Sequence, residues 1–297
     1  MEHVASVKGL SRRYGNIVAL DHVDLQIPRG CVFGLLGENG AGKTTLIHHL
    51  LGLLKAESGH VEVLGLDPAL HPAEVLGQLG VVSEDRDLPP WMKLHELLRY
   101  SRSFYPAWDA GYADELRELF KLDLNARVNT LSQGQLAKTA LLLALAHRPA
   151  LLILDEPSSG LDPVVRHEIL EVIIATVGQE GRTVLFSSHL LDEVERIADH
   201  VAIMRAGKIV VNAPLDDIKE THYRYIVRGS VERPTFKGML ACQGSGPEWT
   251  VLCSGQPDAL RMAIELARLS VIDVAPATLG EIFLACVTRT PLHAVEV

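Results

Sequence analysis

A glycine-rich segment at residues 37–44 constrains the fold more than any other part of the sequence. It fits the phosphate-loop pattern G-x-x-x-x-G-K-[ST] without a mismatch, and its members are Gly37, Glu38, Asn39, Gly40, Ala41, Gly42, Lys43 and Thr44. The preceding residues, 31–36, form a continuous apolar run typical of a fully buried strand, and residues 43–54 have helical periodicity. A glycine-rich loop between a buried strand and a helix predicts an α/β fold that binds phosphate groups.

The chemistry of this segment indicates a nucleotide polyphosphate. Glycines let the backbone wrap around a phosphate so that successive N–H groups face inward, and the helix start adds the positive end of its dipole. Lys43 is expected to reach the β- and γ-phosphates, Thr44 to hold Mg²⁺, and Thr45 to supply a hydroxyl for the α-phosphate. The sequence therefore predicts a nucleoside triphosphate site with Mg²⁺.

Two adjacent carboxylates, Asp155 and Glu156, follow a second buried apolar run at residues 151–154. Because parallel strands deliver their carboxyl ends to one edge of a sheet, both are expected beside the phosphate loop. Asp155 suits a contact with a Mg²⁺-bound water, and Glu156 is placed to accept a proton from, or to orient, an attacking water. Phosphoryl transfer depends mainly on positioning and charge compensation, which two acids with different roles can provide.

Composition and charge exclude other classes of function. The 297 residues are 47% hydrophobic, and the formal net charge is −9. A negative balance disfavours a nucleic-acid footprint, which would be basic, so no nucleic acid is expected among the partners. No apolar stretch approaches the ~18–20 residues of a spanning helix, and any membrane-embedded partner is therefore expected to be a separate polypeptide.

Two domains are predicted. Helical segments alternate with apolar strands over residues 1–220, which indicates a parallel sheet covered on both faces. The composition shifts near residues 216–222, and residues 221–297 are expected to form a small accessory α+β domain.

Three further motifs complete a family resemblance. Residues 131–135 have the sequence Leu-Ser-Gln-Gly-Gln, residues 159–163 have Ser-Gly-Leu-Asp-Pro, and His189 follows two serines. With the phosphate loop and the Leu-Asp-Glu-Pro segment at residues 154–157, they occur in the order found in the ATP-binding-cassette (ABC) ATPases. Over about residues 2–220 the chain resembles this family. The resemblance implies a P-loop NTPase fold with a parallel core sheet, an antiparallel β subdomain and a helical signature subdomain.

The resemblance also implies roles for individual residues. Two ATPase subunits, identical or different, would lie head to tail with two ATP molecules between them, and the signature residues of one would contact the ATP of the other. Those signature residues are Ser132, Gln133, Gly134 and Gln135. Asp162 would carry communication between the sites, and Tyr14 would stack on adenine. His189 would contact the γ-phosphate and help fix the attacking water, which makes Lys43, Glu156 and His189 the catalytic set.

Two positions depart from the family pattern. Glu84 stands where the family usually has glutamine, and it is expected to remain a metal contact because it can accept from a Mg²⁺-bound water or ligate the ion directly. It cannot donate as an amide does, and it adds negative charge beside a polyphosphate. Gln133 replaces a glycine of the signature, which is milder since Ser132 and Gly134 are present.

The function that the resemblance implies is an ATP-hydrolysing subunit bound peripherally, at the cytoplasmic face of the cell membrane, to a separate transmembrane permease. The C-terminal appendage is similar to that of exporters of drugs, antibiotics, lipids or polysaccharide-type substrates. An apolar loop at residues 87–92 either receives the permease or forms a local core. The alternative is a soluble ABC ATPase acting on the ribosome or DNA, which the net charge and the single phosphate loop disfavour. Regulation, dimer bracing and permease contact stay open as roles for residues 221–297.

Overall fold

The structure, a computed structural model, describes residues 3–229 and 232–288, which fall into two units, Met1–Asn212 and Ala213–Val297. The strands that begin in the first unit are β1 His3–Tyr14, β2 Ile17–Pro28, β3 Val32–Gly37, β4 Ser58–Val63, β5 Leu79–Val82, β6 Leu151–Asp155, β7 Thr183–Ser188, β8 His200–Arg205 and β9 Lys208–Pro214. Its helices are α1 Lys43–Leu50, α2 Pro72–Leu76, α3 Leu94–Arg102, α4 Ala110–Leu119, α5 Gln133–Leu145, α6 Pro163–Glu180 and α7 Leu191–Ile197.

The phosphate loop and the paired carboxylates lie on a six-stranded sheet with the order β5-β6-β7-β3-β8-β9. The pairs β5–β6, β6–β7, β7–β3 and β3–β8 are parallel, and β3, β6 and β7 are buried along their whole length. This confirms the parallel sheet that the apolar runs predict. The ends of β3, β6 and β7 accordingly bring residues 38–45, Glu156 and His189 to one edge.

A three-stranded antiparallel sheet, with the order β2-β1-β4, shares a hydrophobic core with the larger sheet. Leu20 of β2 and Leu35 of β3 belong to this one buried cluster. Backbone hydrogen bonds reinforce the junction, because Gly207 donates to the carbonyl oxygen of Ala41 (3.0 Å) and accepts from the N–H of Asp21 (2.9 Å). The end of β1 and the start of β2 are thereby held beside the phosphate loop.

Helices α3, α4 and α5 are inserted between β5 and β6 and correspond to the predicted helical subdomain. Asp109 caps α4 by accepting from the N–H of Tyr112 (3.0 Å), and it pairs with Arg148 (2.6 Å) just after α5. Within the described residues, no helix is both long enough and apolar enough to cross a membrane.

The second unit contains α8 Leu215–Thr221, β10 His222–Arg228, β11 Met239–Ser245, β12 Glu248–Ser254, α9 Pro257–Leu266, β13 Ser270–Pro276 and α10 Leu279–Thr288. Its four strands form an antiparallel sheet, β11-β12-β10-β13, and Tyr225 and Val251 pack against Leu260 and Ile264 of α9. The two compact units divide after Asn212, and α8 contacts β10 within the second unit. Neither α8 nor the short α2 was predicted as a helix.

Candidate active site

A cavity of about 550 Å³ opens at the carboxyl edge of the six-stranded sheet. Its lining combines the phosphate loop with the end of β1 and the start of β2. The segments that follow β5, β6 and β7 complete it. The lining residues are Tyr14, Ile17, Ala19, Glu38, Asn39, Gly40, Gly42, Lys43, Thr44, Thr45, Glu84, Glu156, Ser159 and His189. Most residues that the sequence assigns to the nucleotide, the metal and catalysis therefore meet in one space. Gly37 and Ala41 belong to the same loop and are buried.

The phosphate loop has a backbone that requires glycine. Gly40 has a φ of +81° and Gly42 a φ of +109°, and a Cβ on Gly42 would lie 2.5 Å from the carbonyl oxygen of Ala19. Gly42 is also the N-cap of α1, so no side chain at that position satisfies the N–H groups of the first turn, and no acidic residue lies in that turn. A helix start of this kind is suited to an anion.

The Lys43 ammonium supplies positive charge to the cavity. The residue is 6% exposed, its Nζ donates to the carbonyl oxygen of Gly37 (2.7 Å), and it forms an ion pair with Oε1 of Glu156 (3.3 Å). A buried cation needs such partners, and both lie at the phosphate loop. The uncapped helix start and this ammonium together fit a triphosphate group.

Glu156 contacts two basic side chains at once. Its Oε2 lies 2.7 Å from Nδ1 of His189, and its Oε1 pairs with Lys43. The residue is 6% exposed and has a φ of +49°. Non-glycine residues adopt this left-handed conformation at a cost of about 1–3 kcal/mol, so the surrounding contacts must hold Glu156 in it. The contact between Glu156 and His189 was not predicted from the sequence.

Ser187, in β7, connects the two adjacent acids. Its Oγ donates to Oδ1 of Asp155 (2.5 Å) and accepts from the backbone N–H of Glu156 (2.9 Å). All three residues are buried, so these bonds fix the direction of the Asp155 carboxylate. Ser187 was not predicted as a site residue. The signal for it is a hydroxyl inside a buried apolar strand, where every polar group needs a partner.

The oxygen donors at this edge fit Mg²⁺. Thr44 and Glu84 line the cavity, and Asp155 ends the neighbouring strand β6. Hydroxyl and carboxylate oxygens are the hard ligands that this ion prefers. The part of the chain that the structure describes has no group of three or more His, Cys, Asp or Glu arranged to hold a metal. Mg²⁺ in nucleotide sites is commonly bound through one or two protein oxygens together with substrate phosphates and water.

A second buried network joins the segments that follow β6 and β7. Oε2 of Glu193 accepts from the hydroxyls of Ser158 (2.6 Å) and Ser188 (3.3 Å), and its Oε1 forms an ion pair with Nε of Arg166 (3.1 Å). Ser188 in turn accepts from the N–H of Leu190 (3.0 Å). The loops that carry Glu156 and His189 are thus tied to each other through α7.

The signature residues lie at the start of α5. Among described residues, the cavity lining includes none of Ser132, Gln133, Gly134 and Gln135. Ser132 Oγ accepts from the N–H of Gln135 (3.2 Å), and the N–H of Ser132 donates to Oε1 of Gln135 (2.9 Å), which is a capping box. The structure therefore does not bring the signature to the nucleotide cavity of its own chain.

Asp162 occupies the N-cap of α6. Its Oδ1 accepts from the N–H groups of Val164 (3.0 Å) and Val165 (3.1 Å). Val165 also packs against the signature, since a Cβ on Gly134 would lie 2.9 Å from its Cγ2. One valine therefore links the Asp162 cap to the start of α5.

Comparison with known proteins gives several close likenesses. A family model described as ABC transporter matches residues 20–159. The bacitracin transport ATP-binding protein BcrA of Bacillus licheniformis is 32% identical over 228 residues, which cover 76% of this chain and 74% of that protein. The daunorubicin resistance ATP-binding protein DrrA3 of Streptomyces coeruleorubidus is 36% identical over 227 residues, which cover 72% of this chain and 69% of that protein. The ABC transporter ATP-binding protein YtrB of Bacillus subtilis is 28% identical over 286 residues, covering 94% and 96%.

Solved structures agree. The structure of an ATP-binding subunit of an ABC transporter matches with a TM-score of 0.68 at 32% identity, covering 73% of this chain and 92% of that chain. The dimeric structure of MJ0796, a bacterial ABC transporter cassette, shares the fold with a TM-score of 0.64 at 24% identity, covering 71% and 98%. Fold and site thus define a P-loop ATPase. The chain belongs to the family of ABC transporter ATP-binding proteins, and its reaction is the hydrolysis of ATP.

Tyr14 offers a first testable prediction. Its ring is 44% exposed, lines the cavity and lies 5.0 Å from the guanidinium carbon of Arg12. If it stacks on adenine, Tyr14→Ala should weaken ATP binding by about 5- to 100-fold, whereas Tyr14→Phe should bind nearly as tightly as the wild type. Titration with a fluorescent ATP analogue measures the effect. Tyr100→Ala, which removes a tyrosine of similar exposure (50%), is the matched control, and equal effects of the two alanine variants would contradict the assignment.

Glu84 offers a second prediction. Because a carboxylate attracts Mg²⁺ more strongly than an amide, Glu84→Gln should raise the Mg²⁺ concentration for half-maximal ATPase activity several-fold. The measurement is an Mg²⁺ titration of phosphate release at saturating ATP. Asp85→Asn removes the next carboxylate and should leave the titration unchanged. An unaltered Mg²⁺ dependence and rate in Glu84→Gln would show that Glu84 has no metal role.

Proposed function

We propose that this chain binds Mg-ATP in the cavity at the sheet edge, hydrolyses it with Glu156 as the base, and thereby energises a separate transmembrane permease. The observation that carries the proposal is the surroundings of Glu156. One oxygen of this buried carboxylate pairs with Lys43, and the other contacts His189. Both contacts lie at the cavity that the phosphate loop lines.

The binding roles follow from the environment of each residue. Lys43 and the N–H groups at the start of α1 hold the β- and γ-phosphates, and the Thr45 hydroxyl serves the α-phosphate. Thr44, Asp155 and Glu84 would hold Mg²⁺, which when bound offsets the negative charge of the phosphates. The Ser187 hydrogen bond keeps Asp155 oriented for this contact.

Glu156 is the proposed proton acceptor for the attacking water. Burial holds its carboxylate in a fixed place, and Lys43 and His189 fix its direction from two sides. His189 is 47% exposed, so it orients the carboxylate from the open side of the cavity, where the water and the γ-phosphate would lie. A positioned base of this kind contributes ~10²–10⁴-fold to the rate.

Two copies of the chain are proposed to form the working unit. The signature at the start of α5 lies outside the lining of its own cavity, and it presents the positive end of that helix dipole. A head-to-tail pair would bring the Ser132–Gly134 region of one copy to the phosphates held by the other. Since the chain carries both Glu156 and the signature, two identical copies would form two complete sites.

An exposed apolar surface on the helical subdomain is the proposed contact for the permease. Trp91 is 67% exposed and Tyr100 is 50% exposed, and with Met92, Glu96 and Arg99 they line a groove of about 480 Å³. Trp91 therefore does not lie in a local core, which was one of the two interpretations of this loop. Large aromatic side chains in such a patch typically mark protein contacts.

Export of a drug, antibiotic, lipid or polysaccharide-type substrate is proposed because of the relatives. Their names concern bacitracin transport, daunorubicin resistance and Nod factor export. A subunit of such an exporter would be bound peripherally at the cytoplasmic face of the membrane. The names of these relatives favour transport over action on the ribosome or DNA.

Purification from membranes tests the proposed function. The tagged chain, solubilised with mild detergent from its own cells, should co-purify with a protein that has several spanning helices, identified by mass spectrometry. Trp91→Glu should reduce this recovery several-fold, because it places a charge in an apolar contact. Leu53→Glu changes another exposed apolar residue (62%) and is the matched control. If the tagged chain co-purifies with ribosomes and not with a membrane-spanning protein, the proposed role in transport is contradicted.

A further inference from the structure

We infer that Arg86 is a positioning residue for ATP hydrolysis, which holds the backbone of Glu156 and links it to the turn that carries Glu84. The inference rests on the proposed role of Glu156 as the base. Arg86 does not line the cavity in the described chain, so it acts through the residues that it binds.

The Arg86 guanidinium binds the segment that immediately follows β6. Its Nη2 donates to the carbonyl oxygens of Pro157 (2.9 Å) and Ser159 (3.0 Å) and lies 3.5 Å from that of Glu156. The residue is 8% exposed. A buried cation that donates to several carbonyl oxygens of one short segment fixes that segment more firmly than a neutral donor would.

Two hydrogen-bonded turns meet at this contact. The N–H of Arg86 donates to the carbonyl oxygen of Ser83 (3.2 Å), so residues 83–86 form a turn with Glu84 inside it. The N–H of Ser159 donates to the carbonyl oxygen of Glu156 (3.1 Å), so residues 156–159 form the second turn. Arg86 therefore connects the turn at residues 83–86, in which Glu84 lines the cavity, to the turn that begins at Glu156.

Backbone strain lies at both ends of the connection. Arg86 has a φ of +50° and Glu156 a φ of +49°, and neither is glycine. Such conformations persist only where the surrounding structure holds them in place. Without the guanidinium, the 156–159 turn loses the charged donor that faces its carbonyl oxygens, and Glu156 is free to relax toward an ordinary conformation.

The charges around Arg86 agree with this role. Burial lowers the pKa of its guanidinium, and the negative charge of Glu84 acts in the opposite direction. The guanidinium stays charged because an arginine pKa is far above neutrality. The carbonyl oxygens of Pro157 and Ser159 supply part of the solvation that water would otherwise give, whereas the buried Nε has no hydrogen-bond partner among the described residues.

Steady-state kinetics of Arg86→Gln and Arg86→Lys test the inference. Arg86→Gln should lower the ATPase kcat by about 10- to 100-fold and leave the KM for ATP within about threefold, because the phosphate loop and Tyr14 are untouched while the base is misplaced. Arg86→Lys keeps the positive charge but lacks the forked set of N–H donors, so its kcat should lie between that of Arg86→Gln and that of the wild type. Arg127→Gln, at an exposed position, is the matched control.

A double-mutant cycle with Glu156→Gln separates this inference from the proposed function. If Arg86 acts through Glu156, Arg86→Gln should add less than about threefold to the loss in Glu156→Gln. The inference is overturned if Arg86→Gln leaves kcat unchanged. It is also overturned if Arg86→Gln lowers kcat by the same factor in the wild type and in Glu156→Gln. Should Arg86→Gln not fold, Arg86→Lys decides in the same way. Full activity in Glu156→Gln alone would instead overturn the proposed base and leave the contacts of Arg86 without a catalytic target.

Discussion

Glu156→Gln is expected to lower the ATPase kcat by ~10²–10⁴-fold while ATP still binds, because an amide of the same shape cannot accept the proton of the attacking water. The substitution removes one negative charge from the cavity, so binding of a polyanion should not weaken. Phosphate release measured at saturating Mg-ATP gives the rate, and titration with a fluorescent ATP analogue gives the affinity.

Glu171→Gln is the matched control for this experiment. Glu171 is a 62% exposed glutamate of α6 that pairs only with His167 among the contacts that the structure describes. Its replacement should leave kcat and affinity unchanged. A Glu156→Gln variant that folds and retains a kcat within about twofold of the wild type would contradict the assignment of the base, since such a loss is far below that of a positioned base.

Lys43→Ala is expected to weaken ATP binding by about 10- to 150-fold, the effect of losing one hydrogen-bonded charge of about 1.5–3 kcal/mol. Lys43 supplies a buried positive charge at the phosphate loop, and alanine leaves the loop without it. Equilibrium titration with ATP and Mg²⁺ measures the change. Lys8→Ala, at an exposed position of β1, is the matched control and should bind ATP normally.

A second variant separates binding from stability. Lys43→Ala leaves the buried Glu156 without its ammonium partner, which should lower the melting temperature of the nucleotide-free protein. Lys43→Ala with Glu156→Gln removes both charges, so it should recover the melting temperature but not the affinity. Recovery of both quantities would show that Lys43 acts on ATP only by keeping the protein folded.

The sequence could predict the core strands and the cavity because both depend on local patterns. Continuous apolar runs indicate β3, β6 and β7, and the rule that parallel strands end at one edge then places Lys43 beside Glu156. Glu84 and Tyr14 were placed by the resemblance, and the cavity lining includes both.

Contacts between distant segments were not predictable in this way. In the sequence, Ser187 is a serine within a strand and Arg86 is an arginine in a loop. Both are important because they contact Glu156, which lies 31 residues from Ser187 and 70 residues from Arg86 along the chain. The polar stretch after β9 forms α8 and contacts β10, a tertiary preference that composition does not reveal. The contact of Gly134 with Val165 depends likewise on how two helices meet.

We expect ATP to join two copies of this chain, with the signature of one facing the phosphates of the other. Sedimentation velocity of Glu156→Gln, with and without Mg-ATP, measures this dimerisation. The 32.4 kDa species should convert to one of twice that mass only when Mg-ATP is present. Adding Gln133→Glu should prevent the conversion, because it places a negative charge at the phosphates bound by the other copy. A chain that binds Mg-ATP but remains a monomer, or one that dimerises equally well with Gln133→Glu, would contradict it.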